Sequence, residues 1–155
     1  MAATLTGVYS AGRDLFVANV GHSRCYLFRS GRLSQLTRDD TLRERLSSGA
    51  HPTPIGQGLE DPPHVLTDSI GADGAGPHVI VEHFRLEDDD AILLCTNGLT
   101  DVVSEDAIAD ILASKRSPDE QSKLLEEAAL ASGGTDDVTV VVASYHFLEM
   151  LEQPW

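Results

Sequence analysis

Three short stretches of this 155-residue chain set polar side chains directly against apolar, strand-like runs. Gly21-His22-Ser23 lies between two such runs. Thr96-Asn97-Gly98-Leu99-Thr100-Asp101 follows one and leads into a helical pattern, and Gly134-Thr135-Asp136-Asp137 precedes another. Strand ends that meet at one edge of a sheet bring such groups together, and carboxylates gathered there repel one another unless a cation neutralises them. Divalent-metal binding is the chemistry these residues point to. Each stretch alone is only a turn signal, since Asn-Gly and neighbouring Asp are common turn residues.

The elements that must position them are readable from pattern. Residues 4–9, 14–20, 24–29 and 32–36 are strand-like, and the last two are separated only by Ser30-Gly31, a hairpin turn in which Gly31 supplies a positive φ. A short helix is expected at 41–46, capped by Thr41 or Asp40. Residues 48–77 hold Pro52, Pro54, Pro62, Pro63 and Pro77 and read as an irregular excursion with one ordered piece at 64–70. Strands resume at 79–84 and 91–96, joined through Glu87-Asp88-Asp89-Asp90. That acidic run lacks the spacing of a calcium loop and reads as a solvated turn.

Two helices follow. Residues 104–115 carry Ile108, Ile111 and Leu112 on one face behind a Ser104 cap. The next opens with the capping box Ser117…Glu120, has Pro118 at its first position and ends before Gly133. The β-branched run 138–144 predicts a buried strand. Strands, loop, strands, two helices and a strand make an α+β fold with mainly antiparallel sheets. Residues 1–145 form the predicted domain, and 146–155, with Phe147, Leu148, Met150, Leu151 and Trp155, an apolar tail.

Composition narrows the function. Eleven Lys and Arg against 25 Asp and Glu leave a net charge of −14, which argues against nucleic acid and against an anionic membrane surface as partners. No apolar run approaches the roughly 20 residues of a membrane span. The N-terminus has no basic-then-apolar leader, so a cytoplasmic location is expected. Cys25 and Cys95 read as small core residues in a reducing compartment. His51, His64, His78, His83 and His146 carry no ligand spacing. Arg24 reads as a structural ion-pair partner.

Taken together and in order, the polar stretches and their flanks resemble the C-terminal part of the metal-dependent protein phosphatases, the type 2C serine/threonine family. Residues 17–24, V-A-N-V-G-H-S-R, resemble its V-A-N-V-G-D-S-R, and residues 35–40, Q-L-T-R-D-D, its Q-L-T-x-D-H. His64-Val65-Leu66-Thr67 is similar to a stretch of bacterial members. Residues 93–101, L-L-C-T-N-G-L-T-D, resemble L-L-C-T-D-G-L-T-D, and residues 133–139, G-G-T-D-D-V-T, resemble G-G-x-D-N-x-T. The resemblance spans nearly all of residues 4–145. It implies a β-sandwich with flanking helices and a two-metal hydrolysis of phosphate esters.

The departures shape the expectation. The family's N-terminal part, with its other metal ligands, is missing from the match. Asp101 and Asp136 keep the family residue and are carried over as metal ligands. His22 and Asn97 stand where the family has Asp, while Asp40 and Asp137 replace its His and Asn. With Asn97 neutral, the inherited magnesium or manganese site is weakened, and His22 adds a nitrogen that suits zinc or manganese better than magnesium. Asp101, Asp136, His22 and Asn97 are thus the predicted metal set, with Asp137 and Thr96 behind them. A truncated sandwich also exposes a strand edge and an apolar sheet face, which a homodimer would cover. The resulting expectation is a remodelled, metal-dependent hydrolase completed across that dimer, acting on small-molecule or protein phosphomono-, di- or triesters. The alternatives are an inactive pseudophosphatase or protein-binding module, and a chain that needs a complementary N-terminal fragment.

Overall fold

The structure, a computed structural model, describes residues 3–47, 65–71 and 76–147. Seven strands form two antiparallel sheets. The first has the order β1-β2-β5, from β1 (Leu5–Ala11), β2 (Asp14–Val20) and β5 (Ile80–Arg85). The second runs β4-β3-β6-β7, from β3 (Arg24–Arg29), β4 (Arg32–Gln35), β6 (Ala91–Cys95) and β7 (Val140–Ser144). Four helices complete the described chain: α1 (Leu42–Ser47), α2 (Asn97–Thr100), α3 (Glu105–Ala113) and α4 (Pro118–Ala131).

The β-sandwich expected from the sequence is present, and its local signals act as read. Ser30 and Gly31 both take positive φ, 51° and 79°, which matches the twist of the β3–β4 hairpin. Ser104 accepts the Ala107 N–H at the start of α3, and the Ser117–Glu120 capping box is made in both directions. At α1 the structure decides the cap: the Thr41 hydroxyl accepts the Glu44 N–H. The short helix α2 was not anticipated. Of the irregular excursion, the described residues 65–71 contribute two isolated bridges, Thr41–Leu66 and Ala3–Ile70. His51 and His64 lie outside the described residues.

Alternation along the strands builds two cores on opposite faces of the four-stranded sheet. Cys25 and Ile92 point between the sheets to meet Leu15 and Val17 of β2 and Leu86. Tyr26, Leu93 and Cys95 point the other way, onto Leu99, Val103, Ile108 and Leu112, with Leu125 and Ala129 of α4. Fully burying a leucine-sized side chain contributes about 1.5–3 kcal/mol, so the continuous apolar run of β6 is explained by burial on both faces. Cys25 and Cys95 fall in different cores. Burial pushes each thiol up to about 12, so both stay protonated and unreactive, as the core reading required.

Two expectations need correcting. The run ending in β7 was read as a buried strand, but β7 is the sheet edge and Val141 is 52% exposed. A β-branched run reports strand propensity and does not say how many neighbours the strand has. The acidic turn is also more than solvated. Asp90 is fully buried and accepts Arg29 Nε at 2.8 Å, Arg29 Nη2 at 2.7 Å and the Glu87 N–H at 2.7 Å.

The outer face of the three-stranded sheet stands open among the described residues. Register aligns Tyr9, Phe16 and His83 there, beside Ala18 and Val81, and Tyr9 is 68% exposed. Phe147, placed by sequence in the apolar tail, packs into the inter-sheet core, with the Arg13 guanidinium 4.2 Å from its ring centre. Residues 148–155 lie outside the described residues. No described helix is long and apolar enough to cross a membrane.

Candidate metal centre

The site forms where β6 ends. Thr96 leaves the strand and α2 begins at Asn97, so that Asn97 and Asp101 sit one helical turn apart on the same side. Thr96 fastens the neighbouring segment to this turn. Its N–H donates to the Thr139 carbonyl at 3.1 Å, its hydroxyl donates to the Asp137 carbonyl at 3.1 Å, and that hydroxyl accepts the Thr139 N–H at 3.0 Å. These three bonds bring the Asp136-Asp137 turn against α2. Thr96 thus ties the two segments together, and Asp137 takes part through its backbone.

Gly98 makes the close approach possible. A Cβ there would lie 2.5 Å from the Asp137 carbonyl oxygen, inside the distance real side chains reach. Gly98→Ala must therefore push the 136–139 segment away. It is expected to cost about 1–3 kcal/mol, as overpacking does, and to separate Asp136 from Asn97. Thermal unfolding reads the first effect, and loss of the Asn97–Asp136 contact in a structure of the variant reads the second.

What assembles at this turn is a carboxylate pair around one amide. Asn97 Nδ2 donates to Asp101 Oδ2 at 3.0 Å and to Asp136 Oδ2 at 3.2 Å. Asp136 is held further by the Asp137 N–H on its Oδ1 at 2.9 Å. Asn97 is half-buried, and both carboxylates are exposed. Three of the four residues predicted to hold metal are therefore brought together.

His22 makes no hydrogen bond to them and lies on a different turn. It sits in the β2–β3 turn, where Gly21 takes φ 101° and any Cβ would collide with the Thr4 side chain. Asp40 holds that turn from both sides: its Oδ2 accepts the Gly21 N–H at 2.8 Å and its own N–H donates to the Gly21 carbonyl at 2.9 Å. His22 Nδ1 is buried without a partner. A ligating imidazole normally orients itself through its second nitrogen, and Nδ1 has no such acceptor. His22, Asp101 and Asp136 do not form a trio of ligand atoms within 4.8 Å. Among the described residues the only such trio is Asp88, Asp89 and His146, all exposed, beyond the opposite end of β6.

Arg24 behaves as read from sequence. Its guanidinium forks onto Asp39, with Nε at 2.9 Å from Oδ1 and Nη2 at 2.7 Å from Oδ2, and Nη1 reaches the Tyr26 hydroxyl at 3.0 Å. It buttresses the β3 end.

A divalent metal implied by this fold needs more than the turn offers. Hard cations take six or more oxygens, several of them charged. Here two carboxylates and one amide converge, and the inward oxygen of each carboxylate already accepts an N–H. The described residues of one chain do not by themselves fit a complete divalent site.

The described residues thus form an antiparallel two-sheet sandwich with helices on one face and an acidic turn at the sheet end. Residues 74–138 match the family Protein phosphatase 2C. Serine/threonine protein phosphatase PstP of Mycobacterium tuberculosis is 34% identical over 143 residues, covering 92% of this chain and 27% of that protein. Serine/threonine phosphatase stp of Listeria welshimeri is 32% identical over 151 residues, covering 96% and 59%. A crystal structure of the M. tuberculosis PstP/Ppp phosphatase superposes with TM-score 0.80 at 33% identity, covering 93% and 60%. The catalytic domain of PstP in complex with two manganese ions superposes with TM-score 0.75 at 35% identity, over 93% and 59%. By sequence and fold the chain is similar to protein phosphatase 2C proteins over most of its own length, and it spans less than two thirds of the length of these relatives.

Proposed function

We propose that this chain forms one side of a metal-dependent phosphoric ester hydrolase centre of the protein phosphatase 2C type, with Asp101 and Asp136 as its cation-binding carboxylates. The observation that carries this reading is their convergence, from separate elements, on the single Asn97 amide at the sheet end. The relatives are named serine/threonine protein phosphatases, so phosphoserine and phosphothreonine esters are the first substrate class. The carboxylate pair is exposed, which favours small phosphomonoesters next and leaves di- and triesters as the broadest case.

The remaining oxygen ligands come from outside the described residues of one chain. Pairing with a second copy supplies them and covers the face of the β1-β2-β5 sheet and the edge of β7 that are open among the described residues. With His22 Nδ1 lacking an orienting partner, the donor set is taken as rich in oxygen, which favours manganese over zinc. Two buried, unpaired cysteines fit a reducing cytoplasm. A net charge of −14 fits neither a nucleic-acid nor a membrane partner.

The competing reading is a pseudophosphatase, a binding module with the fold but no metal, and the Asn97 amide lying between the carboxylates favours it. Hydrolysis of a phosphoserine peptide and of chromogenic phosphomono-, di- and triesters, before and after chelation, separates the two. Turnover that EDTA abolishes and millimolar manganese restores supports the hydrolase. No turnover with added manganese, zinc or magnesium leaves the binding module.

A further inference from the structure

We infer that the Asn97 side-chain amide is a built-in substitute for a cation, holding Asp101 and Asp136 together in the metal-free protein. The inference rests on the same carboxylate pair as the proposed hydrolase, but not on hydrolysis.

A primary amide carries two N–H donors on one nitrogen, and Asn97 gives one to each carboxylate, at 3.0 and 3.2 Å. Both donors are then used. Two carboxylates facing one point repel unless something positive or hydrogen-bond-donating lies between them, and Nδ2 lies there. Neither carboxylate is free to swing away without loss. Asp136 would forfeit the Asp137 N–H on its other oxygen, and the Thr96 clamp with the close Gly98 approach fixes the segment that carries it. Asp101 is fixed as the C-terminal cap of α2, its N–H on the Asn97 carbonyl at 2.9 Å.

The residue type at 97 therefore decides how the turn coheres. An amide makes the cluster neutral enough to close on itself. A carboxylate at the same place would leave three acids facing one another with no donor, and the turn would need a cation. Asn97 is accordingly a positioning residue that lets this end of the fold cohere without a divalent metal.

The test is thermal unfolding of the full chain in EDTA and in 1 mM manganese, with calorimetric titration of manganese. Wild type is expected to unfold within about 1 °C in the two conditions. Asn97→Asp is expected to lose several degrees in EDTA, to regain about 5 °C or more with manganese, and to bind the ion at least about tenfold tighter than wild type. Asn97→Ala is expected to lose about 2–4 °C in EDTA and to gain nothing from manganese. An Asn97→Asp protein as stable as wild type in EDTA, or an equal manganese response in all three, overturns the inference.

Should Asn97→Asp fail to fold, a double-mutant cycle decides. The Tm loss caused by Asn97→Ala must shrink by at least half when Asp101 and Asp136 are both changed to Asn, and an undiminished loss overturns the inference. None of these readouts uses turnover. Absence of hydrolysis would sink the proposed enzyme and leave the amide bridge standing, and the reverse holds equally.

Discussion

Asp136→Asn is expected to lower chelator-sensitive phosphate-ester hydrolysis by at least about 100-fold while moving the thermal midpoint by no more than about 2 °C. A bound metal contributes several kcal/mol of transition-state charge stabilisation, and each 1.4 kcal/mol is about a factor of ten in rate. A ligand's loss should therefore be severe. The structure says why stability should be spared. Asp136 is exposed, and its Oδ1, which accepts the Asp137 N–H, is retained by the asparagine, so the loss is limited to the single bond from Asn97 Nδ2 to Oδ2. The substitution also removes one of the two charges that Asn97 must bridge. Initial rates with a phosphoserine peptide in manganese, alongside a melting curve, check both halves. Activity within a few-fold of wild type would take Asp136 out of the centre.

Asp90→Ala is expected to act in the opposite way, lowering stability by about 3 kcal/mol with no direct effect on the site. Removing one partner of a buried ion pair typically costs about 3–5 kcal/mol, and the lower end applies because the Arg29 side chain remains 30% exposed. Asp90 itself is fully buried. Its loss strands two guanidinium donors and the Glu87 N–H. For a chain of this size, the drop corresponds to about 6–12 °C in Tm. Urea unfolding monitored by far-UV circular dichroism reads the loss directly. A change under about 1 kcal/mol would mean that the turn is held by the Arg29–Glu87 and Arg29–Arg85 carbonyl contacts instead.

The contrast between these two aspartates shows what the sequence could and could not carry. Local signals were legible: the Ser117–Glu120 capping box, the Ser30-Gly31 turn and the Ser104 cap each depend on residues within a few positions of one another. The fold class followed from element order and from the family resemblance. What was not legible depends on distance in sequence. Asp90 looked like its neighbours Asp88 and Asp89 until the chain brought Arg29 onto it. His83 showed no acidic partner nearby, yet its Nε2 lies 2.8 Å from Asp14 across β2 and β5. The edge position of β7 depends on a neighbour that composition does not specify.

The metal set divides the same way. Asp101 is four residues from Asn97, a helical spacing present in the sequence once α2 exists. Asp136 reaches the same amide only through the Thr96 clamp and the Gly98 contact, which no local pattern announces. His22 was grouped with them because it lies at a strand end where the resembled family has Asp. Its Nδ1 is instead buried without a partner, held in a turn that Asp40 fastens to Gly21. Asn97 itself was read as a weakened ligand, and hydrogen-bond geometry shows it as a donor to both acids.

The four-stranded sheet is a wall shared by two rooms. Successive side chains of β3 and β6 turn alternately into the inter-sheet core and into the helix-facing core, so neither layer can detach without stripping one side of the other's support. Losing α3 and α4 would bare Tyr26, Leu93 and Cys95, and peeling away the three-stranded sheet would bare Cys25 and Ile92. Among the described residues the middle therefore offers no inexpensive partial opening, and the two cores are expected to melt as a single cooperative unit.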